Sequence, residues 1–270
     1  MSNICFIGGG NMAEAIIGGI LDSGRERPED ILVSDISVKR LQTLEDRFGI
    51  RTCMNELSLI RATNTLVFSV KPQTLPEVMN VLAPILNPKR FYITILAGTP
   101  IARIEQYFSR DAAPRVARAM PNLGAFIRKS ATALCDNGRI TSGDRTVAEN
   151  IFSSIGRIFP CREQDMDRFT AVCGSGPAYV FYFMETFIDA ATSLGMDPGT
   201  AHDACLETLE GAAGLLARRD AHPADLRARV TSKGGTTEAA LKVLESGRLK
   251  DLFDRTLEAA RERAEQLGKQ

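Results

Sequence analysis

Ile4-Cys5-Phe6-Ile7, followed by Gly8-Gly9-Gly10-Asn11-Met12-Ala13, is the stretch from which the fold of this 270-residue chain is read. Four apolar residues predict a buried strand, the glycines a tight turn, and Ala15-Ile16-Ile17-Gly18-Gly19-Ile20 the helix that follows. Read as G-x-G-x-x-A, the turn needs Gly8 where the chain reverses and Gly10 where a pyrophosphate comes close to the backbone. Ala13 is small so that helix packs on strand. Asn11 and Met12 open the helix, so the anion of a dinucleotide would lie on the amides at its N-terminus. The same triplet also suits an ordinary strand-to-helix turn, and only its setting favours a dinucleotide.

That setting is an alternation. Ile31-Leu32-Val33, Thr65-Leu66-Val67-Phe68-Ser69-Val70, Phe91-Tyr92-Ile93-Thr94-Ile95-Leu96 and Arg115-Val116-Ala117 read as strands. Between them Leu41-Leu44-Phe48, Leu75-Val78-Val81-Leu82 and Ile101-Ile104-Phe108 recur at helical spacing. The pattern predicts an α/β fold, a Rossmann-type doubly wound parallel sheet with its ligand at the carboxyl ends of the strands. A last unit follows, with Ala148-Ile151-Phe152-Ile155 on one helical face and Gly156-Arg157-Ile158-Phe159 as a short strand. Beyond about Asp165 no strand-like run appears, so residues 1–164 are expected to form the dinucleotide-binding domain and residues 165–270 an all-α domain. There, 178–194 is apolar on nearly every face and 198–218 is rich in Ala and Gly. Helices of that kind need cover, which predicts dimerisation through this half: a homodimer or higher homo-oligomer.

Composition narrows the partners. Lys plus Arg (33) equal Asp plus Glu (33), so no net field recruits nucleic acid or a membrane surface. Cys5, Cys53, Cys135, Cys161, Cys173 and Cys205 stand far apart with no C-x-x-C pair, and neither His202 nor His222 has a partner at metal spacing. A reduced, cytoplasmic protein without a metal is expected, and His222-Pro223 reads as a helix start. The N-terminus enters a strand at once, unlike a secretory signal, and no apolar run reaches membrane-spanning length.

The strand ends carry the chemistry. Ser34-Asp35-Ile36-Ser37, with Lys39 and Arg40 after it, is ambiguous: an acid there bonds a ribose 2′-hydroxyl, whereas Ser with Lys or Arg suits a 2′-phosphate. Val70-Lys71-Pro72-Gln73, Ala97-Gly98 and Met120-Pro121-Asn122 close the next strands, and Ala97-Gly98 is small enough for a flat ring to lie on the backbone. In the helical half, Gly174-Ser175-Gly176-Pro177 and Ser232-Lys233-Gly234-Gly235-Thr236-Thr237 each place amides and hydroxyls at a helix start, a setting for a carboxylate. Helix capping would explain Thr236 or Ser175 singly, but it does not require two adjacent glycines beside three threonines and a serine.

Taken together, Gly8 to Ala13, Val70-Lys71-Pro72-Gln73, Arg118-Ala119-Met120-Pro121-Asn122, Gly174-Ser175-Gly176-Pro177-Ala178-Tyr179 and Ser232 to Thr237 resemble pyrroline-5-carboxylate reductase, from residue 4 to about residue 247. The last two motifs are specific to that family, and the chain departs from its pattern at Leu123-Gly124, Cys173 and Lys233. The resemblance implies reduction of the ring imine of 1-pyrroline-5-carboxylate to L-proline with NADPH, NADH being the alternative. It implies that Thr237 bonds the imine nitrogen as the catalytic residue and that Ser232, Gly234 and Gly235 hold the substrate carboxylate, with Thr236 and Ser175 beside them. Gly8, Gly10, Asn11 and Met12 would meet the pyrophosphate and Ser34 and Asn55 the adenosine end. Val70, Lys71, Pro72, Ala97, Met120 and Asn122 would border the nicotinamide half. The substrate site is implied to form across the dimer. The nearest rival, the β-hydroxyacid dehydrogenases, relies on a lysine in the long helix after a glycine-serine-glycine turn, and here no lysine occurs between Ser130 and Ser232. A non-catalytic dinucleotide sensor would need only the first anion site.

Overall fold

A computed structural model describes residues 3–218 and 220–269. Its strands are β1 (Ile4–Ile7), β2 (Ile31–Ser34), β3 (Arg51–Cys53), β4 (Thr65–Phe68), β5 (Phe91–Thr94), β6 (Arg115–Met120), β7 (Ser130–Asp136) and β8 (Gly156–Pro160). They form one eight-stranded sheet in the order β3-β2-β1-β4-β5-β6-β7-β8. The chain runs outward from β1 to β3 and returns beside β1 with β4, so the order reverses between β1 and β4, where doubly wound sheets bind ligands. Pairing is parallel from β3 through β6, as the alternation predicts. β7 is antiparallel to β6, and β8 is parallel to β7. The reversal follows Met120-Pro121-Asn122: a single turn, Leu123–Ile127, folds the chain back with Arg128 in the left-handed region.

Helices cover both faces of the sheet. α1 (Asn11–Asp22), α2 (Val38–Phe48) and α6 (Ser142–Ser153) pack Ile16, Ile17, Leu44 and Phe152 with Ile4 and Phe6 of β1. On the other face, α3 (Leu57–Arg61), α4 (Leu75–Leu82) and α5 (Ile101–Glu105) pack Ile60, Met79 and Ile104 with Cys5 and Ile7. Alternate residues of one strand thus feed two cores, which is why β1 reads as an unbroken apolar run.

The rest is helical: α7 (Met166–Phe169), a π turn at Thr170–Gly174, α8 (Gly176–Ser193), α9 (Pro198–Leu216), α10 (Pro223–Arg229), α11 (Thr236–Ser246) and α12 (Leu249–Gly268). His222 is the N-cap of α10, with Pro223 in its first turn. The chain divides into two compact units, Met1–Pro177 with Ala260–Gln270, and Ala178–Ala259. Met166 is buried in a core face of the sheet, and Arg118 of β6 pairs with Glu163 and Asp167, so these residues belong to the first unit. The end of α12 also belongs to the first unit: Ala264 is buried, and a Cβ added to Gly98 would lie 2.5 Å from the Leu267 Cβ.

In the second unit, Ala191, Ala201 and Cys205 form a small cluster with Met184 and Ile188. Most of the remaining apolar surface of α8 is exposed in the single chain, including Phe181, Tyr182 and Phe183. Among the described residues no helix is long and apolar enough to cross a membrane.

Candidate active site

Sheet register aligns the ligand edge. Cys53, Ser34, Ile7, Phe68, Thr94 and Arg118 stand in one row across β3, β2, β1, β4, β5 and β6, so the segments that follow them leave from one side. Gly8, Val70, Ala97 and Met120 lie within a few residues of that row, as do Asp35 and Asn55.

Each glycine of the first turn has its own reason. Gly8 has φ +101°, and an added Cβ would lie 2.8 Å from Val70 Cγ1 and 2.9 Å from the Ser69 carbonyl, so conformation and packing both demand glycine. A Cβ on Gly9 would meet Leu44 at 2.9 Å and Val33 at 3.2 Å. Gly10 differs: its φ is −64°, and the only atom near an added Cβ is the Ser69 carbonyl oxygen, at 3.9 Å. Among the described residues, chain neighbours and the helix's own backbone aside, no other atom comes within 4 Å of that position. Gly10 is also the N-cap of α1, with no side chain bonded to the free amides that Asn11 and Met12 begin. An uncapped helix start under open space, at the switch point of the sheet, fits a dinucleotide's pyrophosphate.

The turn is clamped from the β2–α2 loop. Gly9 N donates to Asp35 Oδ2 at 2.7 Å and Ser37 N to Asp35 Oδ1 at 2.8 Å. The Arg40 guanidinium donates to the Gly9 and Gly10 carbonyl oxygens and pairs with Glu14, which also takes Arg47. Arg40 is thus spent on the turn, and Lys39 is exposed. A cleft of about 220 Å³ opens beside the turn, lined by Gly8, Ser34, Asp35, Ile36, Asn55, Val70 and Glu77 among others. Ser34 is buried at the end of β2, and Asn55 adopts φ +51°, a conformation asparagine tolerates.

Of the residues expected to border a nicotinamide, Val70, Pro72, Ala97, Met120 and Asn122 are half-buried and Lys71 is exposed. Gly98, the second residue of the small pair Ala97-Gly98, makes room for α12: besides Leu267, an added Cβ would meet the Ala264 carbonyl oxygen at 3.3 Å. Asn122 is bound on both sides of its amide, accepting from Gly124 N at 3.0 Å and donating to the Cys173 carbonyl at 3.0 Å. It thereby ties the turn after β6 to the π turn that precedes Ser175. Ser175 N closes that turn on the Thr170 carbonyl at 2.9 Å, and Ser175 itself is half-buried. Burial pushes the Cys173 thiol up from its ordinary pKa, so it stays protonated near neutral pH. Glu163 joins two further segments, accepting from Ile101 N at 2.6 Å and pairing with the buried Arg118. Neither it nor the Asp35 clamp is evident in the sequence, because their partners lie 62 and 26 residues away.

In the second unit, Ser232, Gly234, Gly235, Thr236 and Thr237 do lie together at the start of α11. Gly235 is the N-cap, without a side-chain cap, and Gly234 has φ +74°. The two glycine amides are engaged: Gly234 N donates to Glu238 Oε2 at 2.6 Å and Gly235 N to the Ser232 carbonyl at 3.0 Å. A Cβ on Gly235 would lie 2.5 Å from Ser232 Oγ, so the glycine leaves room for the hydroxyl beside the helix start. Thr237 is half-buried in the first turn. Among the described residues no group of three or more His, Cys, Asp or Glu could hold a metal ion.

Residues 163–267 match the family model for pyrroline-5-carboxylate reductase dimerisation. Residues 3–98 match that for NADP oxidoreductase, coenzyme F420-dependent. Pyrroline-5-carboxylate reductase 2 of Bacillus subtilis (strain 168) is 35% identical over 271 residues, covering 100% of this chain and 96% of that protein. A solved pyrroline-5-carboxylate reductase from Coxiella burnetii superposes with a TM-score of 0.90 at 36% identity, covering 100% of this chain and 99% of that one. A Plasmodium falciparum pyrroline carboxylate reductase, solved with NADP bound, superposes with a TM-score of 0.88 at 27% identity over 99% and 98% of the two chains. Likeness of this order along the whole length, in sequence and in fold at once, means that the chain belongs to the pyrroline-5-carboxylate reductase family.

Proposed function

We propose that this chain reduces the ring imine of 1-pyrroline-5-carboxylate to L-proline with NAD(P)H, the last step of proline biosynthesis, and works as a homodimer. The observation that carries the reading is Gly10, an uncapped helix start with open space above it in a chain of this family. When bound, the reduced nicotinamide supplies the hydride for the imine carbon. The protein's part is positioning, which can account for a large share of the rate. Asn11 and Met12 hold the pyrophosphate at the start of α1. Ser34 and Asn55 border the adenosine, and Val70, Lys71, Pro72, Ala97 and Met120 the nicotinamide, with Asn122 bracing that edge through the Cys173 carbonyl.

The substrate carboxylate is held by the Ser232 hydroxyl and the small-residue turn before α11, with Thr236 beside it, and Ser175 is assigned to substrate binding as well. In this reading the substrate takes over the Gly234 amide from Glu238, whose carboxylate occupies that donor in the free chain. Thr237 bonds the imine nitrogen. Its hydroxyl is too weak an acid to protonate the nitrogen by itself, so it orients the ring and passes on a proton from water. No alcohol has to be deprotonated, which agrees with the absence of lysine between Ser130 and Ser232.

The test is oxidation of reduced nicotinamide by purified protein with 1-pyrroline-5-carboxylate, followed by absorbance, with proline identified as product. Coenzyme binding without oxidation would overturn the reading.

A further inference from the structure

We infer that the adenosine end of the dinucleotide cleft ranks NADH above NADPH, and that Asp35 sets the ranking. The inference rests on the reductase reading and concerns the same site. The glycine turn touches only what the two coenzymes share; they part at the ribose 2′-position. Asp35 is the first residue beyond β2, where an acid accepts from a ribose hydroxyl and a cation accommodates a phosphate.

Three observations decide between them. The Asp35 carboxylate is fixed, since Gly9 N and Ser37 N hold one oxygen each at 2.7 and 2.8 Å. A carboxylate has about four acceptor positions, so each oxygen keeps one for a hydroxyl donor. The neighbouring cations are committed or turned away. Arg40 is bound to the Gly9 and Gly10 carbonyls and to Glu14, Arg47 also pairs with Glu14, and Lys39 is not among the residues lining the cleft. The charged residues that do line it are both acidic, Asp35 and Glu77. Ile36, 79% exposed at the same corner, brings no charge. A ribose hydroxyl therefore finds a charge-assisted acceptor, whereas a 2′-phosphate, close to doubly negative at neutral pH, meets a fixed like charge in a cleft lined by no cation.

The experiment is isothermal titration of the full-length protein with NAD⁺ and NADP⁺ in about 0.1 M salt, where partly buried charges are still felt. Wild type is expected to bind NAD⁺ at least about tenfold more tightly, and Ile36→Arg to tighten NADP⁺ by about tenfold while NAD⁺ stays within about twofold. NADP⁺ binding to wild type as tightly as NAD⁺ would overturn the ranking, even with 1-pyrroline-5-carboxylate reduced normally. An NADP⁺ affinity unmoved by Ile36→Arg would overturn the placement of the 2′-position at this corner. If neither nucleotide bound, the reductase reading would fall and the ranking with it.

Discussion

At Gly10 the backbone adopts φ −64° and ψ −178°, open to any residue, and no side chain crowds the position. Gly10→Val should therefore fold with an unchanged melting temperature and yet lose dinucleotide binding, because the added methyls would stand where the pyrophosphate approaches. Calorimetric titration beside a thermal melt separates the two, and normal binding would remove the anion from this turn. Thr237→Ala should lower kcat by about 10²-fold or more, at the low end of what proton-handling groups contribute, and leave coenzyme affinity unchanged. Thr237→Ser should recover most of it. Cys173 marks the opposite case. Its carbonyl, not its thiol, is what Asn122 grips, and burial keeps the thiol protonated. A group whose pKa is raised in this way carries no charge near neutrality, so Cys173→Thr should leave turnover within about twofold. The rate profile from about pH 6 to pH 8 should not shift.

Elements differ in how plainly they can be read. β1, β2, β4 and β5 are legible because each is buried on both faces and so is mostly apolar, with Ser34, Thr65 and Thr94 only at strand ends. β3 is Arg-Thr-Cys on a sheet edge with only Cys53 buried, and β7 hides Ser130 and Thr132 by bonding their hydroxyls to each other at 2.9 Å. β3 has no apolar run to find, and that of β7 is only Ala133-Leu134-Cys135. The candidate site divides in the same way. Glycine turns and small-residue helix starts are local and can be read, whereas the Asp35 clamp and the Asn122 to Cys173 brace depend on partners brought together by the sheet. Glu163 is the brace with the largest expected stability effect. Glu163→Ala leaves the Ile101 amide without its acceptor and the buried Arg118 with Asp167 alone, 3.7 Å away. The expected cost is about 1–3 kcal/mol, read as a lower denaturant midpoint, and Glu163→Gln, whose amide oxygen still accepts from Ile101 N, should lose less.

For the whole molecule the open question is what covers the apolar surface of the second unit. Phe181, Tyr182 and Phe183 are 58%, 68% and 52% exposed in the single chain, and α9 and α12 add Leu215, Leu216, Leu252 and Phe253. Soluble proteins do not leave so much apolar surface bare, and a second copy of the same unit is the cover that closed symmetry provides. The position chosen for a test decides what the test means. Met184 packs against Ala191, Ala201 and Cys205, so an acid there would damage the unit's own small core and unfold it whether or not a dimer exists. Phe181 has no part in that cluster. Phe181→Asp should therefore keep its helical circular dichroism while placing an unpaired carboxylate in each half of a two-fold interface, at a cost of several kcal/mol per charge. Sedimentation should show a folded monomer at concentrations where wild type self-associates. A Phe181→Asp protein that sediments as wild type would move the interface to another face.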